Sequence, residues 1–129
     1  MKPSLDMLGI VTSDMGESIR FYRLLGLEVT EDGGPYCETK LPNGLRISWN
    51  KVEMVREIYP GWEEPRGHRL GMAFLCESPG EVDAVHDKIV EAGFKSLKSP
   101  WDAFWGQRYA LIEDPDGNIV DLFAPLGEQ

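Results

Sequence analysis

Hydrophobic and polar positions along the chain follow two periods, which predict strands and helices in the same order twice. Residues 5–12 (LDMLGIVT) form a short apolar run that is typical of a buried strand. Apolar residues then recur at helical spacing to about residue 25, after a capping box formed by Asp14 and Glu17. Gly26 provides the backbone freedom with which many helices end. The chain therefore begins with a strand followed by a helix.

Three further strands are predicted to complete the first half of the chain. Residues 25–34 (LGLEVTEDGG) are interpreted as a strand and a turn. Residues 35–41 and 44–50 are predicted to form a hairpin, because Asn43-Gly44 suits a tight two-residue turn. The first module is thus βαβββ and runs from about residue 5 to residue 50.

The second half of the chain repeats this order after a polar connector, residues 51–68. In the connector, a short amphipathic helix ends before Pro60 and a segment rich in proline and glycine follows. The second module, about residues 69–125, begins with a strand, and Ser78 and Pro79 then start a helix. Three more strands are predicted in this module, at residues 94–99, 106–114 and 118–124.

This duplication predicts the fold class. The whole chain, residues 1–129, is expected to be one α+β domain in which two βαβββ modules form a curved mixed sheet around a cleft. One helix covers only one face of a four-stranded sheet, so the other face remains available to line that cleft. We expect the functional site inside it.

Composition and charge limit the classes of partner. The chain has 129 residues and a formal net charge of −9, which disfavours nucleic acid and anionic membranes as partners. No apolar run approaches the length of about 20 residues that spans a bilayer, and the N-terminus does not resemble a signal peptide, so a cytoplasmic location is expected. The two cysteines, Cys37 and Cys76, form no CxxC motif, and we expect both to be reduced and structural.

A cluster of large aromatic residues is the strongest candidate for binding chemistry. Ser99 to Gly106 (SPWDAFWG) contains Trp101, Phe104 and Trp105 in a segment predicted to be a loop between two strands. Loops normally expose polar groups, so such a cluster either fills the core or faces an apolar partner.

Several segments resemble a known superfamily. The two modules, SIRFYRLLGLE after the first strand and EDPDGNIVDLF near the end resemble the vicinal oxygen chelate superfamily of glyoxalases, extradiol dioxygenases and antibiotic-resistance proteins. Within it, GLRISWNKVEMVR, GHRLGMAF and KSPWDAFWGQRYALIEDPDGNIVDLFAPL are similar to the mitomycin-binding resistance proteins, relatives of the bleomycin-binding proteins. The resemblance implies that Trp105 stacks on a planar quinone-like ligand beside Trp101. It also implies a homodimer whose clefts are formed by both chains.

The resemblance further allows the superfamily's metal-ligand positions to be located in this chain. Enzymes of the superfamily hold a divalent ion with one His, Glu or Gln on each of four strands. Here those positions are occupied by Met7, by Arg46 or Ser48, by Gly71 and by Asp121. A single carboxylate does not retain such an ion, so no metal, cofactor or catalytic residue is expected.

The two histidines do not change this expectation. His68 lies three residues before Gly71, which places its side chain on the opposite face of a regular strand, and a strand-entry or interface role is favoured over metal ligation. His86 is interpreted as a residue at the border of a helix. No Ser, His and Asp constellation suited to nucleophilic catalysis is predicted.

Strand alternation assigns the remaining residues to the cleft or to the core. Arg46 and Asp121 either form an ion pair in the cleft or are solvated at its mouth. Trp49 is expected in the core beneath a helix, and the role of Trp62 stays open. The residues predicted to bind ligand are Trp105, Trp101, Phe104, Arg46, Ser48, Asn50, Met7, Asp121 and Phe123.

Together these features predict a metal-independent protein that binds a small planar aromatic or quinone-like antibiotic and confers resistance by sequestering it. Two alternatives remain at this point. One is a glyoxalase-like metal-dependent lyase or dioxygenase whose ligands lie elsewhere in the sequence. The other is a carrier that delivers a planar biosynthetic intermediate to a partner.

Overall fold

The computed structural model describes residues 2–65, 68 and 70–127. The chain divides into two compact units, Met1–Pro65 and Arg66–Gln129. The described residues form three helices and seven strands. The strands make two mixed sheets, one with three strands and one with four. The predicted α+β class is therefore confirmed. No helix among these residues is long and apolar enough to cross a membrane.

The first unit contains a three-stranded sheet with two helices. Its elements are β1 (Met7–Thr12), α1 (Met15–Leu24), β2 (Tyr36–Lys40), β3 (Arg46–Lys51) and α2 (Val52–Ile58). The strand order is β1-β3-β2, in which β1 runs parallel and β2 antiparallel to β3. As the capping box predicts, the Asp14 carboxylate accepts a hydrogen bond from the Glu17 backbone N–H at 3.1 Å.

The strand expected at residues 25–34 is absent from the described structure, and this part of the prediction is wrong. Side chains, rather than a neighbouring strand, donate hydrogen bonds to two carbonyl groups in the middle of this segment. The Arg23 guanidinium donates to the Val29 carbonyl at 2.8 and 3.0 Å, and the Thr39 hydroxyl donates to the Glu28 carbonyl at 2.6 Å. The segment therefore packs beside the sheet without extending it.

The core of the first unit lies between α1 and its sheet. Trp49, at the centre of β3, is completely buried, and its ring lies 5.6 Å from that of Tyr22 on α1 in an edge-to-face contact. In the sheet, Trp49 is flanked in register by Ile10 and Cys37, which are also buried. The predicted position of Trp49 in the core beneath a helix is confirmed.

Both cysteines are buried and free. Burial is the largest cause that raises the pKa of each thiol, and nearby carboxylates raise it further at Cys37. Both side chains consequently remain protonated and behave as small apolar core residues, in agreement with the structural role predicted for them.

The second unit has the predicted βαβββ order. Its elements are β4 (Met72–Leu75), α3 (Pro79–Glu91), β5 (Lys95–Ala103), β6 (Gln107–Glu113) and β7 (Ile119–Pro125). The strand order is β4-β7-β6-β5, with β4 parallel to β7 and the other pairs antiparallel. The strand predicted to begin at residue 69 corresponds to β4, which begins at Met72. Arg69 lies outside the described residues.

Helix α3 covers one face of this second sheet. Ser78 caps the helix by accepting a hydrogen bond from the Glu81 backbone N–H at 3.1 Å. The helix packs on β5, β6 and β7. The side chains beneath it are fully buried or nearly so: Ala110, Ile112, Val120 and Leu122. Residues that alternate with these lie on the face opposite α3, which carries the candidate site.

Candidate functional site

The aromatic segment is mostly strand and not loop, which corrects the prediction for residues 99–106. Trp101 belongs to β5, which runs to Ala103, and only residues 104–106 form the turn to β6. The Gly106 N–H donates to the Ala103 carbonyl at 3.0 Å, and Gly106 has a φ of 89°. Because β5 is an edge strand with two register shifts, it accommodates Pro100, which lacks a backbone N–H.

Strand register places three aromatic side chains in one row across the second sheet. Trp101 on β5 pairs with Tyr109 on β6, and Tyr109 pairs with Phe123 on β7. Leu75 on β4, which is largely exposed, continues the row beyond Phe123. Residues directly opposite each other in neighbouring strands share a face. The face opposite α3 therefore has an apolar row that spans all four strands.

Trp105 and Phe104 extend this row from the turn between β5 and β6. We refer to Trp101, Phe104, Trp105, Tyr109 and Phe123 as the aromatic cluster. The Trp105 ring lies 5.2 Å from Tyr109, 6.2 Å from Trp101 and 5.0 Å from Phe104, at interplanar angles of 80°, 90° and 87°. None of these three neighbours stacks parallel to the indole.

Trp105 is both oriented and accessible. Its indole N–H donates to the Gln107 side-chain oxygen at 2.8 Å, which fixes the ring relative to β6. The residue is 48% exposed, and Phe104 beside it is 97% exposed. Large aromatic side chains are rarely left in water without a binding role when they form a contiguous patch. The structure thus leaves Trp105 available to contact a flat molecule.

Trp101 is less accessible to a ligand than Trp105. The Lys98 ammonium lies 3.8 Å from the centre of the Trp101 ring, in a cation–π contact. The Trp101 ring also makes an edge-to-face contact with Tyr109, with ring centroids 5.5 Å apart and an interplanar angle of 66°. A ligand that stacks on the face covered by the ammonium has to displace it.

Tyr109, which the sequence analysis did not select, lies at the centre of the aromatic cluster. Its hydroxyl donates to the Asp121 carboxylate at 2.5 Å. Burial and this hydrogen bond, together with the charge of Asp121, raise the pKa of Tyr109 to about 12. Tyr109 on β6 and Phe123 on β7 both alternate with apolar residues that pack beneath α3, so both face away from that helix. This alternation is the sequence signal from which Tyr109 could have been selected.

The raised pKa of Tyr109 leads to a testable pH dependence. An ordinary tyrosine in an unfolded chain ionises near about pH 10. Because the folded protein holds its proton up to about pH 12, Tyr109 stabilises the fold fully below about pH 10 and loses this contribution as the pH rises towards 12. We expect the unfolding free energy to fall more steeply between about pH 10 and pH 12 in the wild type than in Tyr109→Phe. Urea titrations at several pH values across this range measure how steeply the unfolding free energy of each protein depends on pH. An equal dependence in the two proteins would contradict the raised pKa of Tyr109.

Asp121 lies on the same face as Phe123, as alternation predicts, while Val120 and Leu122 are buried beneath α3. Asp121 accepts a hydrogen bond from Tyr109 in its own sheet, and Arg46 is paired with carboxylates in the first unit.

The polar residues predicted to bind ligand share the face of the first sheet that lies opposite α1. Register pairs Met7 with Arg46, and Ser48 and Asn50 follow at alternate positions of β3. The Arg46 guanidinium contacts the carboxylate of Asp6 and donates to that of Glu38 at 2.7 Å, and these hydrogen bonds raise its pKa.

Hydrogen bonds also occupy the other side chains on this face. The Asn50 amide donates to the Ser48 hydroxyl at 3.0 Å and to the Ile10 carbonyl at 3.2 Å. The Tyr36 hydroxyl contacts the Met7 sulfur at 3.4 Å. This face is therefore polar, and the guanidinium of Arg46 is already paired with two carboxylates.

The four positions that the superfamily's enzymes use for a divalent ion do not fit one here. Met7 offers a thioether that accepts from Tyr36, and Gly71 offers no side-chain donor. The second position carries either the paired guanidinium of Arg46 or the hydroxyl of Ser48. Within residues 2–65, 68 and 70–127, no group of three or more His, Cys, Asp or Glu side chains is arranged to hold a metal. His68 is exposed and lies outside the strands.

A Ser, His and Asp chain is present in the second unit, although none was predicted from the sequence. His86 is 6% exposed, and its Nε2 and Nδ1 lie 2.7 Å from the Ser96 hydroxyl and 3.2 Å from the Asp87 carboxylate. Ser96 is in register with Ile112, so it lies on the face that α3 covers. We interpret this chain as a link that holds α3 to β5. His86 is thus a buried packing residue, which corrects the helix-border interpretation.

Comparison with known proteins agrees with this architecture. The model of the Glyoxalase/Bleomycin resistance protein/Dioxygenase superfamily matches residues 4–122. The uncharacterized protein YraH of Bacillus subtilis is 28% identical over 126 residues, which cover 91% of this chain and 94% of YraH.

Two solved structures show the same fold. A glyoxalase/bleomycin resistance protein/dioxygenase from Nocardioides has a TM-score of 0.77 and 26% identity, covering 100% of this chain and 87% of its own. A family enzyme from Burkholderia phytofirmans PsJN has a TM-score of 0.84 and 20% identity, covering 96% and 100%. From the family match and the arrangement of its strands and helices, the chain belongs to the glyoxalase/bleomycin resistance protein/dioxygenase superfamily.

Proposed function

We propose that this chain is a binding protein for a small planar aromatic molecule, and that the aromatic cluster on the second sheet is its binding surface. The proposal extends to an antibiotic or quinone-like ligand that the protein sequesters without chemical change. The superfamily to which the chain belongs includes bleomycin resistance proteins by name. Sequestration requires a tight complex and protein in excess over the compound, and it requires no catalytic group.

The observation that carries the proposal is the accessible Trp105 ring, held by Gln107 above a row of in-register aromatic residues. A flat conjugated ring stacked on an indole gains about 0.5–1.5 kcal/mol beyond the burial of its area. Burial itself contributes roughly 25 cal/mol per Å² before the cost of association is subtracted. A ligand of two or three fused rings on this surface is therefore expected to bind with micromolar affinity.

The proposal does not use a metal ion. The divalent ion of the superfamily's enzymes polarises substrate oxygens when it is bound. The chain's residues at the corresponding positions are a thioether, a paired guanidinium or a hydroxyl, a glycine and one carboxylate. These groups do not form the donor set of such a site. The aromatic cluster, in contrast, needs only a ligand of matching shape.

Titration with a panel of compounds tests the proposal. We expect at least one of mitomycin C, bleomycin and phenazine to quench tryptophan fluorescence with a saturable, micromolar midpoint. Camphor, a rigid cyclic compound that is not planar, serves as the control and should not quench. The same midpoint is expected after the protein has been treated with a chelator. Binding that is absent for every planar compound, or that disappears with the chelator, would overturn the proposal.

A further inference from the structure

The carboxylate of Asp121 adjoins the aromatic cluster, and its surroundings indicate which further group the ligand carries. Resting on the proposed function, we infer that the ligand bears a protonated amino group beside its planar ring and that Asp121 binds this group. Asp121 lies two residues from Phe123 on the same strand face. The inference specifies the chemical class of the ligand as a planar aromatic cation.

Asp121 is half-buried, and its neighbours in register on both adjacent strands are apolar. In register, it lies between Ala73 on β4 and Leu111 on β6. None of the ion pairs formed within residues 2–65, 68 and 70–127 includes it. A partly buried carboxylate of this kind loses solvation without gaining a cationic partner. A cationic ligand would supply that partner.

The hydrogen bond from Tyr109 orients the carboxylate and leaves one oxygen for the ligand. The tyrosine hydroxyl donates to Oδ2, and Oδ1 receives no hydrogen bond from the described part of the chain. An ionised carboxylate only accepts hydrogen bonds, so the ligand has to donate. The Tyr109 hydroxyl is neutral in the physiological range and keeps its proton for this hydrogen bond.

The surrounding rings and the charge of the protein favour the same ligand. The Lys98 ammonium already lies 3.8 Å from the centre of the Trp101 ring, so the cluster accommodates a cation beside an aromatic face. The net charge of −9 attracts cations and repels anions over a longer range. A ligand with a carboxylate in place of the amine would be repelled by Asp121.

Three probes that share one ring system test the inference by isothermal titration calorimetry. They are 1-naphthylmethylamine, 1-naphthalenemethanol and 1-naphthaleneacetate, which are cationic, neutral and anionic at neutral pH. We expect the wild type to bind the amine about tenfold more tightly than the alcohol, and the acetate most weakly. In Asp121→Asn, the ratio of amine to alcohol affinity should fall to about one.

Glu113→Gln is the matched control, because it removes the same charge from the same sheet face at a residue paired with Lys95 at 3.4 Å. Glu113→Gln should keep the preference for the amine.

The asparagine of Asp121→Asn retains the shape of the residue and an acceptor for Tyr109, so Asp121→Asn is expected to fold. Tyr109→Phe, which removes the orienting hydroxyl, is a second variant in which the preference should fall several-fold.

The outcomes separate this inference from the proposed function. If all three probes bind the wild type equally, or if the preference survives in Asp121→Asn, the ligand class is wrong while the aromatic surface stands. If Glu113→Gln loses the preference for the amine as fully as Asp121→Asn does, the preference comes from the overall negative charge and not from a contact with Asp121. This result would also overturn the inference. If none of the naphthalene probes binds, the inference fails, while the proposed function is decided separately by the titration with mitomycin C, bleomycin and phenazine.

Discussion

Replacing Trp49 with alanine is expected to lower the free energy of unfolding by about 3–5 kcal/mol. Trp49 is completely buried at the centre of β3, and its ring packs against Tyr22 on α1. Alanine at this position removes the contact with Tyr22 and leaves a large cavity between α1 and its sheet. Urea unfolding followed by circular dichroism measures the change.

Two further variants distinguish a core role from a general effect of losing tryptophan. Trp62 is half-buried in the connector, where the Arg56 guanidinium lies 5.6 Å from the centre of its ring, and Trp62→Ala should change the unfolding free energy by no more than about 1 kcal/mol. The Trp49 indole N–H is buried and has no hydrogen-bond partner in the described structure. Trp49→Phe removes this unsatisfied donor and keeps a large ring in the core. Its loss of unfolding free energy should therefore be well below that of Trp49→Ala. A loss below about 1 kcal/mol for Trp49→Ala would contradict the core assignment.

The elements that could be predicted from the sequence are those whose signals are local. The capping residues Asp14 and Ser78 each accept the hydrogen bond that their positions imply, and α1 and α3 begin immediately after them. Alternation likewise placed Trp49 in the core and Asp121 with Phe123 on one face. In these cases the residue type and its spacing determine the structure with little influence from distant parts of the chain.

The errors arose where distant side chains or irregular pairing decide the structure. In the segment at residues 25–34, for which a strand was predicted, two central carbonyls accept hydrogen bonds from the side chains of Arg23 and Thr39. Trp101 was assigned to a loop, but register shifts in β5 allow this edge strand to continue past Pro100. Neither effect leaves a periodic trace in the sequence.

The candidate site was predicted only in part for the same reason. Trp105 and Phe104 stand out because large aromatic residues are rare in a turn, but whether they fill the core or face outwards could not be predicted; in the structure both are exposed. Tyr109 was missed because its importance depends on pairing with both Trp101 and Phe123 across three strands. The link between His86 and Ser96 depends on how α3 packs against β5, which helical spacing alone does not specify.

Replacing Trp105 with alanine is expected to weaken the binding of the planar ligand at least about tenfold, which corresponds to about 1.4 kcal/mol. The indole contributes both contact area and ring stacking, and alanine offers neither. Trp105→Phe keeps a flat ring and should retain an affinity between those of the wild type and the alanine variant. Because each substitution changes the fluorescence of the protein, calorimetry is the appropriate measurement.

The matched control is again Trp62→Ala, since it also removes one accessible tryptophan but lies in the other unit of the chain. It should bind the ligand as the wild type does. Lys98→Met provides a second comparison, because it removes the ammonium that covers Trp101 while leaving Trp105 in place. Stronger binding of a neutral planar ligand in this variant would show that Trp101 becomes a further stacking surface. Unchanged affinity in Trp105→Ala would instead mean that the ligand does not stack on Trp105, and it would overturn the proposed role of this residue.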